Sequence, residues 1–245
     1  MKTFKIIPVI DILNSEAVHA KEGERDKYLP LKSRMFNSTN PIKIIKTLKY
    51  KYKFNEIYIA DLDSIINKKL NYQIFDKISK IPDLYIMVDP GIVNFQDVSV
   101  FSKYKFNQLI IGLETINNLE IISKSISLLG QNRLIISIDM YKGKIISKLE
   151  DLNNKDPKSI INQISNLGIT NIILLDLFRV GQKFGGIPAL FSEIVSFFNG
   201  NVFVGGGIKN QEDFISYKKQ KFSGVLVATA LYDGTINIKK VRKFL

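Results

Sequence analysis

The sequence predicts an α/β fold, a (β/α)8 TIM barrel assembled from two duplicated half-barrels, and three observations predict it. Short apolar runs of strand length recur eight times along the 245 residues. Segments of helical pattern separate them, which supplies the crossover connection that neighbouring parallel strands require. Short stretches of the first half recur in the second at a nearly constant offset. Eight strand–helix units in a chain of this length close naturally into a barrel, and residues 1–245 read as one domain.

The eight runs are Ile6 to Ile10, Ile57 to Ala60, Leu84 to Val88, Gln108 to Ile111, Leu134 to Ile138, Ile172 to Leu175, Val202 to Val204, and Val225 to Val227. They are almost continuously apolar, as strands covered on both faces are. The repeat appears as IYIADLD at 57–63 against IILLDLF at 172–178, DPGIVNFQD at 89–97 against GGGIKNQED at 205–213, and IIGLET against LVATAL. Asp61 to Asp176 is 115 positions, whereas Gly91 to Gly207 and Gly112 to Ala228 are each 116. The halves therefore fall at about 1–120 and 121–245.

Composition narrows the function classes. There are no cysteines and one histidine, His19, which leaves no thiolate site or cysteine nucleophile and makes a histidine metal centre implausible. No metal and no cofactor are expected. The apolar run near the start, Ile6 to Ile10, is too short for a signal peptide or a membrane span, so a cytoplasmic protein without membrane contacts is expected. The net charge of +12 raises the question of nucleic acid. Its densest stretch, Lys43, Lys46, Lys49, Lys51 and Lys53, reads as the solvated face of one helix, because a lysine stripe without arginine forks is weak evidence for backbone recognition. The expected partner is a phosphorylated small molecule, on a monomer or homo-oligomer.

Two patterns carry chemistry. Strands one and five each end in an aspartate, Asp11 in PVIDI and Asp139 in ISIDM. In a barrel these positions face the mouth from opposite sides, so one carboxylate can accept a proton while the other donates one. The alternative is that each caps the loop that follows. The second pattern is Gly205-Gly206-Gly207 after strand seven with Ala228-Thr229 after strand eight. Glycines allow close backbone approach, and amides at a following helix start donate to phosphate oxygens; a plain turn is the alternative.

Together, IIPVIDILNSEAVHAKEG, ISIDMYKGK, VGGGIKN and VATALYDG resemble the histidine-biosynthesis barrels, the phosphoribosylformimino aminoimidazole carboxamide ribotide isomerase and its cyclase relative. The resemblance implies that Asp11 and Asp139 are the acid and base of an Amadori rearrangement. It also exposes departures. Where the family carries a strand-six threonine and an Asp-Gly-Thr loop, this chain reads LLDLFRVGQKFGG. Alignment on Gly181 puts Leu175 at the threonine position, and a one-residue gap puts Asp176 there as a third catalytic candidate. The pattern is similar to that of a divergent subgroup from archaea and one-carbon-metabolising bacteria.

After strand three, where a doubly phosphorylated substrate calls for a glycine loop, the chain has Val88-Asp89-Pro90-Gly91-Ile92, and Glu114 follows strand four. A carboxylate repels phosphate and proline has no amide to offer. The second phosphate is thus expected to be lost, or replaced by a cationic or hydroxyl-bearing group. Arg25, Arg179 and Gly181 are expected to contact substrate, the arginines as bidentate anion ligands. Three classes remain: an aldose–ketose isomerase of a phosphoribosylated aminosugar conjugate, a lyase or condensing enzyme on a singly phosphorylated ligand in a one-carbon-carrier cofactor pathway, and a noncatalytic phosphate-ligand or nucleic-acid binder.

Overall fold

Inward and outward side chains alternate along every strand of the barrel, and this period-two pattern creates two separate cores. The computed structural model describes residues 3–67 and 71–241. Its barrel strands are β1 (Lys5–Leu13), β2 (Glu56–Asp61), β3 (Tyr85–Asp89), β4 (Gln108–Gly112), β5 (Leu134–Tyr141), β6 (Asn171–Asp176), β7 (Asn201–Gly205) and β8 (Gly224–Val227). All neighbours are parallel, and β8 returns to β1 with Lys5 opposite Gly224 and Pro8 opposite Val227. The predicted (β/α)8 barrel is the observed fold, and each predicted run overlaps its strand.

Inside the barrel, each strand contributes one residue to a packed plug: Ile7, Tyr58, Met87, Ile110, Ile135, Ile173, Phe203 and Leu226. The alternate residues, such as Ile6, Ile57, Ile86, Ile136 and Val204, face the helices and join a larger core with Ile44, Leu48, Phe75 and Ile161. That outer core explains the lysine stripe. In the helix Pro41–Lys46 and the π-helical turn Thr47–Lys51 that continues it, Ile44, Ile45 and Leu48 are buried, while Lys43, Lys46 and Lys51 are exposed. Among the described residues no helix is long and apolar enough to cross a membrane.

Phe75 is fully buried and meets the rings of Phe101, Tyr104 and Phe106 edge-on, with centroids 5.6, 6.0 and 5.5 Å away. Phe75→Ala leaves a cavity that these rings cannot fill, and an unfolding cost of about 3–5 kcal/mol is expected. Urea titration reads this as a lower midpoint; an unchanged midpoint would mean that the outer core collapses freely around the site.

Two matching loops position the mouth. Asn94 caps the helix Phe95–Phe101 and Asn210 caps Gln211–Lys219; in both, the side chain of the third helical residue, Asp97 or Asp213, reaches back to the cap amide. These residues lie 116 positions apart, at the same offset as Gly91 and Gly207. The caps fix the exits of the loops that follow β3 and β7, so whatever those loops present at the mouth is held by equivalent anchors.

Candidate active site

Inward-facing residues at the strand ends converge on one cavity at the C-terminal mouth, about 1000 Å³ including its open entrance. Asp11 of β1 and Asp139 of β5 both line it, from strands on opposite sides of the ring. The backbone at Asp11 is fixed on two sides, pairing with Ala60 of β2 and with Val18 of a hairpin that extends β1. Asp139 is buried, and Ser137 Oγ, two residues earlier on the same inward face, donates to Asp139 Oδ1 at 2.7 Å. This bond orients one carboxylate oxygen.

The wall formed by β7 and β8 carries the glycine loop. Gly205, Gly206, Gly207, Ala228 and Thr229 all line the cavity. Gly206 and Gly207 have φ of +85° and +83°, and a Cβ on Gly206 would lie 2.6 Å from the carbonyl oxygen of Asp176. Only glycine suits that conformation and that approach. Thr229 and Ala230 open the short helix Thr229–Tyr232, and the first amides of a helix have no intrahelical acceptor. A cation stands nearby. Lys183 lines the same cavity, and its Nζ donates to Asp233 Oδ2 at 2.7 Å and Thr235 Oγ1 at 3.2 Å. Burial alone would raise the Asp233 carboxyl, but the hydrogen bonds from Lys183 and Thr235 outweigh it and hold it below its usual range.

The opposite wall, from β3 and β4, has the reverse character. Asp89 occupies the position 116 residues before Gly205, and Glu114 the position 116 residues before Ala230. Both line the cavity. Asp89 is held by two donors, the Tyr58 hydroxyl to Oδ2 at 3.2 Å and the Gly91 amide to Oδ1 at 3.0 Å. The Glu114 carboxylate folds back onto Gly112, filling the space that a side chain there would need. Burial pushes the Tyr58 hydroxyl well above its ordinary range, and Asp89, Asp139, Asp11 and Glu114 all push it further. Tyr58 is therefore a neutral hydrogen-bond donor, and the acceptor it serves is Asp89.

At the end of β6 the two candidate positions face different ways. Leu175 takes the inward position and lines the cavity, whereas Asp176 turns away from it. Asp176 Oδ1 accepts from the amides of Phe178 at 3.2 Å and Lys142 at 3.3 Å, capping the turn Leu177–Arg179. Asp176, expected as a third catalytic candidate, has its carboxylate engaged by backbone donors beside the mouth instead of lining the cavity. Arg179 differs from expectation in the same way. Its Nη2 donates to the carbonyls of Gly185 and Gly186 at 2.6 and 3.1 Å, bracing the loop instead of lining the cavity. Gly181 does line it, with φ of +80°, packed so closely under Ala20 that a Cβ would sit 2.9 Å from the Ala20 carbonyl oxygen. There the loop after β1 crosses to that after β6, with the Glu22 amide donating to Val180 O at 3.0 Å. The Arg25 side chain lies outside the described residues. His19 ends the strand Glu16–His19 that follows the β1 turn, pairs with Leu29, and has its Nε2 2.9 Å from the Lys32 carbonyl.

Sequence reasoning passed over Tyr58 and Lys183, which line the cavity, and Ser137, which bonds to Asp139. Tyr58 and Ser137 had a signal, since each is a polar group two positions before an inward-facing residue of an apolar strand. Lys183 had none, because its place depends on the path of a loop.

One further network ties the mouth together. The β1 hairpin turns on Asn14 and Ser15, both left-handed, and their amides donate to Asp63 Oδ1 and Oδ2 at 2.7 and 2.9 Å. Asn71 Nδ2 bridges Asp61 and Asp63 at 2.7 and 2.9 Å. Burial raises the Asp61 carboxyl from 3.8 to about 6 against the hydrogen bonds from Asn71 and Ser64. A raised folded pKa means stability present below 3.8 and lost as pH rises through about 6. Asp61→Asn keeps the shape and removes the charge, so a gain of about 1–3 kcal/mol is expected at pH 8, shrinking toward zero as pH falls to about 4. Urea midpoints across that range check it; a pH-independent difference would contradict the buried-charge account.

Comparison with known proteins decides the family. The family model described as "Histidine biosynthesis protein" matches residues 5–237. The chain belongs to that histidine-biosynthesis family. Among its relatives is an uncharacterized protein of Methanocaldococcus jannaschii, 33% identical over 239 residues that cover 97% of each chain. A phosphoribosyl (phosphoribosylamino)methylideneamino imidazole carboxamide isomerase of Lactococcus lactis is 26% identical over 239 residues, covering 96% of this chain and 97% of its own. The isomerase of the same name from Brachyspira hyodysenteriae is 24% identical over 238 residues, with the same coverage. Proteins named as isomerases thus align with 96% of this chain.

Proposed function

We propose that the protein is an aldose–ketose isomerase acting on a phosphoribosylated amine conjugate, with Asp11 and Asp139 as its proton-transfer pair and the loops after β7 and β8 as its phosphate site. The observation that carries this reading is that the two aspartates line one cavity from opposite strands while the glycine loop forms a wall between them. Relatives named as isomerases support the reaction class.

The chemistry needs only what these residues offer. One aspartate, protonated, gives its proton to the ring oxygen of the aminoaldose; the bond from that oxygen to C1 breaks, and the nitrogen lone pair forms an iminium at C1. The other aspartate removes the C2 proton, and the electron pair forms an enaminol. Loss of the C2 hydroxyl proton and protonation at C1 give the aminoketose. No atom is gained or lost overall, and each carboxylate switches state once in each direction. Ser137 holds Asp139 in register for its transfer, and Tyr58 stays protonated throughout.

The test is conversion of aldose to ketose by the purified protein. It uses the bisphosphorylated substrate of the isomerase relatives and its two monophosphorylated counterparts. Ketose formation from any of the three supports the proposal, and none from all three contradicts it. A lyase or condensing reaction by the same two aspartates is the second reading, favoured by Asp89 and Glu114 at the wall where a second phosphate would lie.

A further inference from the structure

The cavity is electrically two-ended, and its two ends are built at equivalent positions of the barrel. At the β7–β8 end stand a glycine loop, the opening amides of a helix and Lys183, which Asp233 and Thr235 hold by its ammonium group. At the β3–β4 end, the same positions in the chain repeat carry Asp89 and Glu114, with Pro90 in place of Gly206. The change goes beyond loss of an anion site. A loop that had merely lost its phosphate would need no charge, yet here two carboxylates face the cavity and a buried tyrosine hydroxyl orients one of them. The cavity itself continues from one end to the other, so one ligand reaches both.

We infer that the ligand carries a single phosphate, bound at the β7–β8 end, and a cationic nitrogen group, an ammonium or amidinium, bound at the β3–β4 end by Asp89 and Glu114. This rests on the phosphate site proposed above and goes beyond it by fixing the substrate class: a molecule with opposite charges at its two ends. Asp89 and Glu114 are specificity determinants. They attract the cationic end and exclude a second phosphate, which would meet two carboxylates and a proline without an amide. Among the described residues no group of three acidic or imidazole side chains is arranged to hold a metal ion, which favours an organic cation at this end.

The experiment is a calorimetric binding series on the full chain. It uses ω-aminoalkyl monophosphates of increasing length, the alkyl monophosphates matched to them, and the corresponding terminal bisphosphates. At the length that spans the cavity, the amine is expected to bind about tenfold or more tighter than its alkyl match, as a charged hydrogen-bonded contact provides. The bisphosphate is expected to bind more weakly than the amine at every length. Asp89→Asn and Glu114→Gln, which keep side-chain size, should each reduce the amine-to-alkyl affinity ratio toward one. Alkyl monophosphate binding with no gain from the amine at any length overturns this inference and leaves the phosphate site standing. A preference for bisphosphates overturns it too. If no monophosphate binds, the phosphate site fails and the inference fails with it. The wild-type series decides the matter even if a variant does not fold.

Discussion

Asp11→Asn and Asp139→Asn should each lower turnover by about a hundredfold or more, the usual contribution of a positioned acid or base. Both exchanges keep the shape of the side chain and remove only its ability to gain and lose a proton. In Asp139→Asn, the Ser137 hydroxyl can still donate to the amide oxygen at position 139, so the local packing survives. Binding of a simple alkyl monophosphate should persist in both variants, because the proposed phosphate site is on the loops after β7 and β8 and not on β1 or β5. Steady-state rates beside phosphate affinities check this. Two variants that bind phosphate normally and still turn over would remove the aspartates from the mechanism. If only one variant loses activity, the second aspartate is a loop cap.

Gly206→Ala should have the other large effect, on phosphate binding and on stability together. The residue sits at φ +85°, and an added Cβ would lie 2.6 Å from the Asp176 carbonyl oxygen, a backbone atom that cannot swing aside. Left-handed strain alone costs roughly 1–2 kcal/mol for a residue with a side chain. The clash must also push the loop away from β6, so the amides at 206 and 207 leave their places. Phosphate affinity is expected to fall about tenfold or more with the lowered unfolding midpoint. Calorimetry with an alkyl monophosphate, below the melting range, separates the two effects. A stable variant with full phosphate affinity would show that the glycine loop is only a turn.

The barrel was readable because its evidence is repeated eight times. Each strand must be apolar on both faces, so runs such as Leu134 to Ile138 stand out against their surroundings without any knowledge of partners. The positions of Asp11 and Asp139 were readable for a related reason, since the fold itself sends the last residues of a strand toward the mouth. Loops obey no such period. Asp176 and Leu175 are neighbours at the end of β6, and one residue of register decides which faces the cavity. Arg179 had the right chemistry for an anion, but the carbonyls of Gly185 and Gly186 reach it first. Lys183 comes to the cavity because Asp233 and Thr235, fifty residues or so onward, pull it there. Pairings of that kind depend on how two loops meet in space.

The acid wall was legible in part. Asp89 and Glu114 stood out against the second half, where the same positions hold Gly205 and Ala230. The bond from Tyr58 to Asp89 was not, because Tyr58 comes from a third strand and looks, in sequence, like ordinary core.

The most direct measurement is isomerisation in heavy water, with the position of deuterium in the product read by nuclear magnetic resonance. If two carboxylates carry the C2 proton away and solvent-exchanged acid returns one to C1, the aminoketose contains deuterium at C1, and neither Asp11→Asn nor Asp139→Asn forms labelled product at an appreciable rate. Product without deuterium at C1 would mean that hydrogen moves directly between the carbons or without exchange, contradicting the solvent-exchanged acid–base route; no product from any of the three substrates would contradict the isomerase itself.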